Sequence, residues 1–79
     1  MFKVKLDIDN LKYFLVEVTK LDSDVSLVSG KYKVDAKSIM GIYSLDLSKP
    51  VDVIFEKNEI EGEYETLYSK LKELKIAVE

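Results

Sequence analysis

The feature that most constrains the fold is an alternation of apolar and charged residues at the start of the chain. Even positions are apolar and odd positions are charged across one stretch: Phe2, Lys3, Val4, Lys5, Leu6, Asp7, Ile8, Asp9. A period of two places successive side chains on opposite faces of a β-strand. The pattern therefore predicts a strand over residues 2–9 with one buried and one solvated face.

Two longer stretches have helical periodicity. Apolar residues recur at positions 11, 14, 15, 18 and 21, behind Asp9 and Asn10, whose side-chain oxygens suit an N-cap. They recur again at positions 60, 64, 67, 71 and 74, behind Asn58 and Glu61, which are spaced as in a capping box. We predict amphipathic helices over residues 10–20 and 59–74.

Shorter elements lie between these helices. Alternation predicts strands near residues 23–28, 31–35 and 51–56, and Ser29-Gly30 predicts a tight hairpin between the first two. Residues 37–43 suit about two turns of helix, and the apolar tail at 76–79 either docks or frays. The predicted order of elements is β-α-β-β-α-β-α.

Half-polar strands and one-faced helices favour one two-layer arrangement, with the helices on one face of an antiparallel sheet. We therefore predict an α+β fold in a single domain, residues 1–79. It has a four-stranded antiparallel sheet with two long helices and one short helix on one face. Tyr32, Tyr64 and Tyr68 are expected at the edges of the core.

Composition excludes several classes of function. The chain has no cysteine and no histidine, and its net charge is −3. Without histidine it lacks the usual proton shuttle, metal ligand and base of a serine triad, so we predict a non-enzyme with no metal or cofactor. An acidic balance argues against direct nucleic-acid binding. No apolar run approaches the ~20 residues of a membrane span, and no signal peptide is evident, so we expect a cytoplasmic protein without membrane contact.

One segment resembles a known family. It reads Lys-Ser-Ile-Met-Gly at positions 37–41 and is followed by Ser44-Leu45. This sequence is similar to the regulatory-serine segment of HPr, the phosphate carrier of the bacterial sugar phosphotransferase system. Residues 2–4 and 24–27 resemble the first two strands of that family, and the order of elements matches. The resemblance implies an HPr-like open-faced β-sandwich over the whole chain.

The chain departs from the family where the family carries its phosphate. Between its first strand and first helix, HPr has a loop ending in Gly-(Ile/Leu)-His-Ala-Arg-Pro, whose histidine accepts the phosphoryl group. Here that loop is about four residues shorter, and residues 7–11 read Asp-Ile-Asp-Asn-Leu. The histidine, arginine and proline have no counterparts. The resemblance therefore implies a divergent bacterial member of the HPr-like family, with a degenerate active site and no histidine-type phosphocarrier activity.

The resemblance also singles out Ser38 and the residues behind it. In Gram-positive relatives the matching serine is phosphorylated by the HPr serine kinase/phosphorylase, and the phospho-form assists a catabolite-control transcription factor. An alternative is that Ser38 only caps the short helix. The residues matching Ile39, Met40 and Tyr43 form an exposed docking patch in HPr, whereas here they could instead close one edge of the core.

Two hypotheses about function follow. In the first, the chain is a regulatory or adaptor protein of phosphotransferase-system or carbon-source signalling, with Ser38 as a phosphorylation site and Ile39, Met40 and Tyr43 as its docking patch. In the second, the HPr fold serves as a protein-interaction module unrelated to sugar transport, and Ser38 is only a helix cap.

Overall fold

The computed structural model describes residues 1–78 as a four-stranded sheet with three helices. The elements in chain order are β1 (Phe2–Val4), α1 (Leu11–Thr19), β2 (Val25–Ser29), β3 (Tyr32–Asp35), α2 (Ile39–Tyr43), β4 (Val51–Phe55) and α3 (Glu63–Glu73). The strand order is β1-β4-β2-β3, and every neighbouring pair is antiparallel. The predicted α+β open-faced sandwich is confirmed.

The core lies between one face of the sheet and the helices. Every element except β3 contributes fully buried apolar side chains, among them Val4, Phe14, Leu27, Ile42, Val53, Leu67 and Leu71. The opposite face of the sheet is polar. It carries two cross-strand ion pairs, Lys3–Asp52 at 2.6 Å and Lys33–Glu56 at 2.8 Å. No helix within residues 1–78 has the length and apolarity needed to cross a bilayer.

Strand β1 is shorter than the sequence alternation predicts. Leu6 is still buried, but Ile8 is 83% exposed. The chain turns at Asp7, whose carbonyl oxygen accepts the amide of Leu11 at 3.0 Å. Because of this turn, the alternation of buried and exposed side chains ends at Leu6 and Ile8 does not enter the core. The prediction of a strand to residue 9 was therefore wrong.

The apolar tail docks on the outer edge of β1. The amide of Lys5 donates to the carbonyl of Ile76 at 3.0 Å, and the amide of Val78 donates to Lys3 at 2.8 Å. Ile76 is buried. The tail therefore covers one edge of the sheet. Of the two alternatives, docking and fraying, the structure shows docking. The last residue of the predicted tail, Glu79, lies outside the described residues.

Helix α3 begins four residues later than predicted. Its N-cap is Gly62, which adopts φ 89°, a left-handed conformation that glycine tolerates best. Asn58 does not start a capping box. Its side chain instead exchanges hydrogen bonds with Asp24, accepting from the amide at 3.3 Å and donating to the carboxylate at 2.9 Å. The loop before α3 is thus held to the start of β2.

The hairpin between β2 and β3 turns one residue later than predicted. Ser29 pairs with Tyr32, so the two loop residues are Gly30 and Lys31. Gly30 has φ +59°, and Lys31 is not among the positive-φ residues, which is the pattern of a type II′ turn. The glycine still supplies the required conformation, at the first loop position.

The three tyrosines do not share one environment. Tyr64 and Tyr68 lie at the core edge as predicted, with ring centroids 5.4 Å and 5.0 Å from that of Phe2. Tyr32 is 69% exposed, so its predicted place at an edge of the core was wrong. It lies on β3, one of the two outer strands of the sheet, which has a neighbouring strand on one side.

Candidate functional site

Ser38 is the N-cap of α2. It has extended backbone angles, φ −101° and ψ 110°, and its hydroxyl oxygen accepts the amide of Gly41 at 3.1 Å. Its carbonyl accepts the amide of Ile42 at 3.0 Å, which closes the first helical turn. A serine in this position satisfies an amide that the helix itself leaves unpaired. Ser38 therefore has a structural role whether or not it is ever modified.

Gly41 explains part of the Lys-Ser-Ile-Met-Gly segment. A Cβ built at this position would lie 3.1 Å from the Cβ of Val34 and 3.4 Å from the hydroxyl of Ser38. A side chain at this position would be in tight contact with Val34 and would require the two to move apart by a few tenths of an ångström. The sequence pattern alone predicted no role for Gly41. Its place in the first turn of a short helix, where glycine lowers helix propensity, was the available signal.

Three apolar side chains of α2 are exposed to solvent. Ile39, Met40 and Tyr43 are 46%, 78% and 56% exposed, whereas Ile42 between them is fully buried. We call the three exposed residues the α2 patch. Their exposure favours a surface patch over the alternative in which they close an edge of the core. Methionine and tyrosine are side chains that suit adaptable contact surfaces.

The start of α2 has unused hydrogen-bonding capacity. Within residues 1–78 the amides of Ile39 and Met40 have no acceptor, as expected for the first positions of a helix. The neighbouring Lys37 does not face this end, because its ammonium donates to the carbonyl of Leu21 at 2.7 Å. The Ser38 hydroxyl is therefore paired with a backbone amide, and its neighbour Lys37 points elsewhere.

The turn before α1 has the opposite character. Asp7 and Asn10 exchange hydrogen bonds, each side-chain oxygen accepting the other residue's amide at 2.8 Å. The Asn10 amide group also donates to the carbonyl of Lys5 at 2.9 Å. Asn10 is the N-cap residue of α1, as its position in the sequence predicts, but its side chain bonds back to Asp7 and not forward into the helix.

The amides of the first turn of α1 are largely occupied as well. Those of Tyr13 and Phe14 donate to the carbonyl of Asn10, each at 3.1 Å. The two nearest lysines are engaged elsewhere: Lys5 donates to the carbonyl of Leu47 at 2.9 Å, and Lys12 lies 5.3 Å from the ring centroid of Tyr13. Of the amides in this first turn, that of Lys12 alone has no acceptor within residues 1–78, so this end offers an anion one amide where α2 offers two.

The chain is similar to proteins of known structure. Neither a scan against protein-family models nor a search of curated proteins gave a match. Solved structures did. The chain is 32% identical to Crh, the catabolite repression protein of Bacillus subtilis, with a TM-score of 0.64 over 90% of this chain and 84% of that one.

Two HPr structures from Thermoanaerobacter tengcongensis are also similar. One, HPr-C-His, is 32% identical with a TM-score of 0.71 over 94% of this chain and 84% of that one. The chain belongs to the HPr-like family. The other HPr structure, described as a dimer, is 29% identical with a TM-score of 0.66 over 89% of this chain and 82% of that one.

The structure brings the predicted site residues together on one element. Ser38 and the α2 patch all lie on α2 or at its cap, within six consecutive positions. The turn at residues 7–10 is separate in sequence and begins a different helix. Residues 1–78 hold no cluster of three or more acidic side chains placed to bind a metal ion.

Proposed function

We propose that this HPr-like protein is a regulatory or adaptor protein in phosphotransferase-system or carbon-source signalling. It docks on a protein partner through the α2 patch, and phosphorylation of Ser38 controls that docking. The observation that carries the proposal is the exposure of Ile39, Met40 and Tyr43 on a helix capped by Ser38. The likeness to Crh, described as a catabolite repression protein, supports the proposed role in carbon-source signalling.

A phosphate on Ser38 would change this surface strongly. It adds about −1.5 to −2 charges and three acceptor oxygens. The unused amides of Ile39 and Met40 lie at the positive end of α2, where an anion is favoured. The modified helix would present an anionic group directly beside an apolar patch. A partner could then distinguish the two forms by charge while using the same side chains for contact.

The proposal includes the absence of histidine-type phosphoryl transfer. The sequence has no histidine, and the turn at residues 7–10 is closed by its own hydrogen bonds. The carboxylates of Asp7 and Asp9 add negative charge at this turn, which disfavours a phosphoryl group. The protein therefore works by binding, in the cytoplasm, with no catalytic step of its own.

The proposed partners are proteins that recognise the segment around Ser38. One is the HPr serine kinase/phosphorylase, which would add and remove the phosphate. The other is a catabolite-control transcription factor, which would bind the phospho-form. The protein itself makes no contact with DNA in this scheme, in keeping with its net charge of −3.

A second candidate function is a protein-interaction module unrelated to sugar transport. The observation that favours it is the cap itself, because the hydrogen bond from Gly41 gives Ser38 a sufficient structural role. The adjacent lysine also does not serve the hydroxyl, because the Lys37 ammonium donates to the carbonyl of Leu21. In this scheme the α2 patch still binds a partner, but no phosphate controls it.

Intact mass after incubation with ATP and the HPr serine kinase separates the two candidates. The first predicts a gain of one phosphate in the wild type and none in Ser38→Ala. Ordinary HPr in the same reaction shows that the kinase is active. No gain in the wild type while HPr is phosphorylated would reject the regulated scheme and leave Ser38 as a cap.

A further inference from the structure

The two outer edges of the sheet are treated differently. The outer edge of β1 is covered by the tail, through hydrogen bonds between Lys5 and Ile76 and between Val78 and Lys3. At the other side of the sheet β3 pairs with β2 only. Uncovered edge strands present unpaired backbone groups that can template pairing with another strand. The β3 edge is therefore the open edge of this sheet within residues 1–78.

The register fixes which groups point outward from β3. Val34 pairs with Leu27, and the amide of Ala36 donates to Val25 at 2.9 Å. Alternation along an antiparallel ladder then directs the backbone of Lys33 and Asp35 away from β2. The carbonyl of Asp35 accepts the amide of Ser38 at 3.0 Å. Both backbone groups of Lys33 and the amide of Asp35 are left for an added strand.

We propose that β3 is a self-association edge, to which a second copy of the chain adds its own β3 antiparallel and centred on Val34. This register sets Lys33 of each copy opposite Asp35 of the other. Two copies thus form two opposite-charge cross-strand pairs on the polar face of the sheet. Such pairs stabilise a sheet, whereas like charges directly opposite each other destabilise it.

The charge sequence of β3 selects this register against its neighbours. Centring the pair on Lys33 or on Asp35 sets that residue opposite itself. Centring it on Tyr32 sets Lys31 of one copy opposite Lys33 of the other. A parallel in-register pair also aligns like charges. Centring the pair on Lys33 also sets Lys31 opposite Asp35, but it keeps the contact of Lys33 with itself. Among pairings of residues 32–36, the arrangement centred on Val34 sets opposite charges together without a like-charge pair.

The side chains needed for this pairing are accessible. Asp35 is exposed and has no ion-pair partner within residues 1–78, while one of its carboxylate oxygens accepts the amide of Lys37 at 2.9 Å. Lys33 is exposed and pairs with Glu56, so it would lie between two carboxylates. On the helix face, the exposed ring of Tyr32 would lie opposite Ala36 of the other copy. The pairing gives Tyr32 the cover that it lacks in a single chain.

A four-residue edge buries little surface, so the dimer is weak and depends on concentration. Sedimentation velocity from micromolar to millimolar protein measures it. We expect Lys33→Glu and Asp35→Lys each to raise the dissociation constant at least tenfold, equivalent to about 1.4 kcal/mol. The double variant, which exchanges the two charges, is expected to restore association to within a few-fold of the wild type. Lys57→Glu, at an exposed position away from β3, changes net charge as Lys33→Glu does and should leave association unchanged.

Amide hydrogen exchange gives a readout that needs no variant. The amides of Lys33 and Asp35 should exchange more slowly as wild-type concentration rises, while that of Val34 should not change. A wild type that stays monomeric at millimolar concentration would overturn the proposal. So would association that survives both single variants, or that the double variant fails to restore. A dimer lost in Met40→Asp but kept in Lys33→Glu would assign association to the α2 patch and reject the β3 edge.

Discussion

The starts of α1 and α2 are built from similar polar residues and differ in what they leave available. At α1, Asn10 and Asp7 satisfy each other, the first-turn amides of Tyr13 and Phe14 bond to the backbone, and within residues 1–78 only the amide of Lys12 in that turn has no acceptor. At α2, the Ser38 hydroxyl accepts the amide of Gly41. The amides of Ile39 and Met40 have no acceptor within residues 1–78, and the three side chains of the α2 patch are exposed. A helix start is therefore a candidate binding site because of its unpaired amides and exposed apolar side chains, more than because of the residue type of its cap.

We expect the largest loss of stability from a substitution that disturbs the close packing of α2 on β3. Gly41→Val would place a branched side chain against the Cβ of Val34, only 3.1 Å from the new Cβ. We expect a loss of about 1–3 kcal/mol, measured by urea unfolding, because overpacking displaces well-packed neighbours. Met40→Val is the matched control, since it adds the same residue to an exposed position of the same helix. Helix propensity alone would favour Gly41→Val and disfavour Met40→Val, so a Gly41→Val protein as stable as the wild type would contradict the close approach of α2 to β3.

Closure of the α1 start can be tested at Asn10. Asn10→Ala removes the acceptor of the Asp7 amide and the donor to Lys5, and should cost about 1–2 kcal/mol in urea unfolding. Asp9→Ala, an exposed neighbour in the same turn, is expected to change stability little. If the two variants behave alike, the turn is not held by its side chains and the contrast with α2 fails.

The cap of α2 should be worth less than the closure of α1. Ser38→Ala is expected to cost about 1 kcal/mol, and Ser38→Asp close to nothing, because aspartate also accepts an amide at an N-cap. Thermal unfolding of the three proteins followed by circular dichroism measures the order. Equal stability of wild type and Ser38→Ala would contradict the hydrogen bond from Gly41 as a stabilising contact.

A third helix start adds a small, pH-dependent effect. Glu63, at the start of α3, accepts the hydroxyl of Ser23 at 2.6 Å and its amide at 2.9 Å, and these bonds hold the pKa of Glu63 below its ordinary 4.5. Because the pKa is lowered on folding, the contribution to stability is present above pH 4.5 and is lost as pH falls through the folded value.

Glu63→Gln tests this sign. The wild type should be the more stable protein near neutral pH, and the difference should shrink as pH falls below 4.5. Urea unfolding at a series of pH values measures it, with Glu61→Gln, at an exposed position just before α3, as the control. A difference between wild type and Glu63→Gln that is constant with pH would contradict the assignment.

The fold was largely predictable because most of its elements follow local periodicity. The burial of positions 11, 14 and 18 on α1 and the alternation in β4 were legible in the sequence. The errors have non-local causes. Residue 8 leaves the strand pattern because Asp7 and Asn10 close a turn, and α3 begins late because Asn58 bonds to Asp24, 34 positions away. Periodicity carries no information about such contacts.

The candidate site was predictable only in part. Similarity to the family pointed to Ser38 and the α2 patch, and their roles stay a prediction. The structure shows that Ser38 caps α2 and that the patch side chains are exposed. The tight approach of Gly41 to Val34 was not predicted, because it depends on the spacing between a helix and a strand. The open edge of β3 was also missed. It follows from strand order, which the sequence pattern leaves undetermined.

The most direct test of the contrast between the two helix starts is an amide NMR spectrum before and after treatment with ATP and the HPr serine kinase. Our account predicts that the phosphate lies on Ser38, that the largest shifts occur at the amides of Ile39 and Met40, and that residues 7–14 keep their shifts. A spectrum that does not change while ordinary HPr is modified would contradict the account. So would a phosphate or large shifts at residues 7–10.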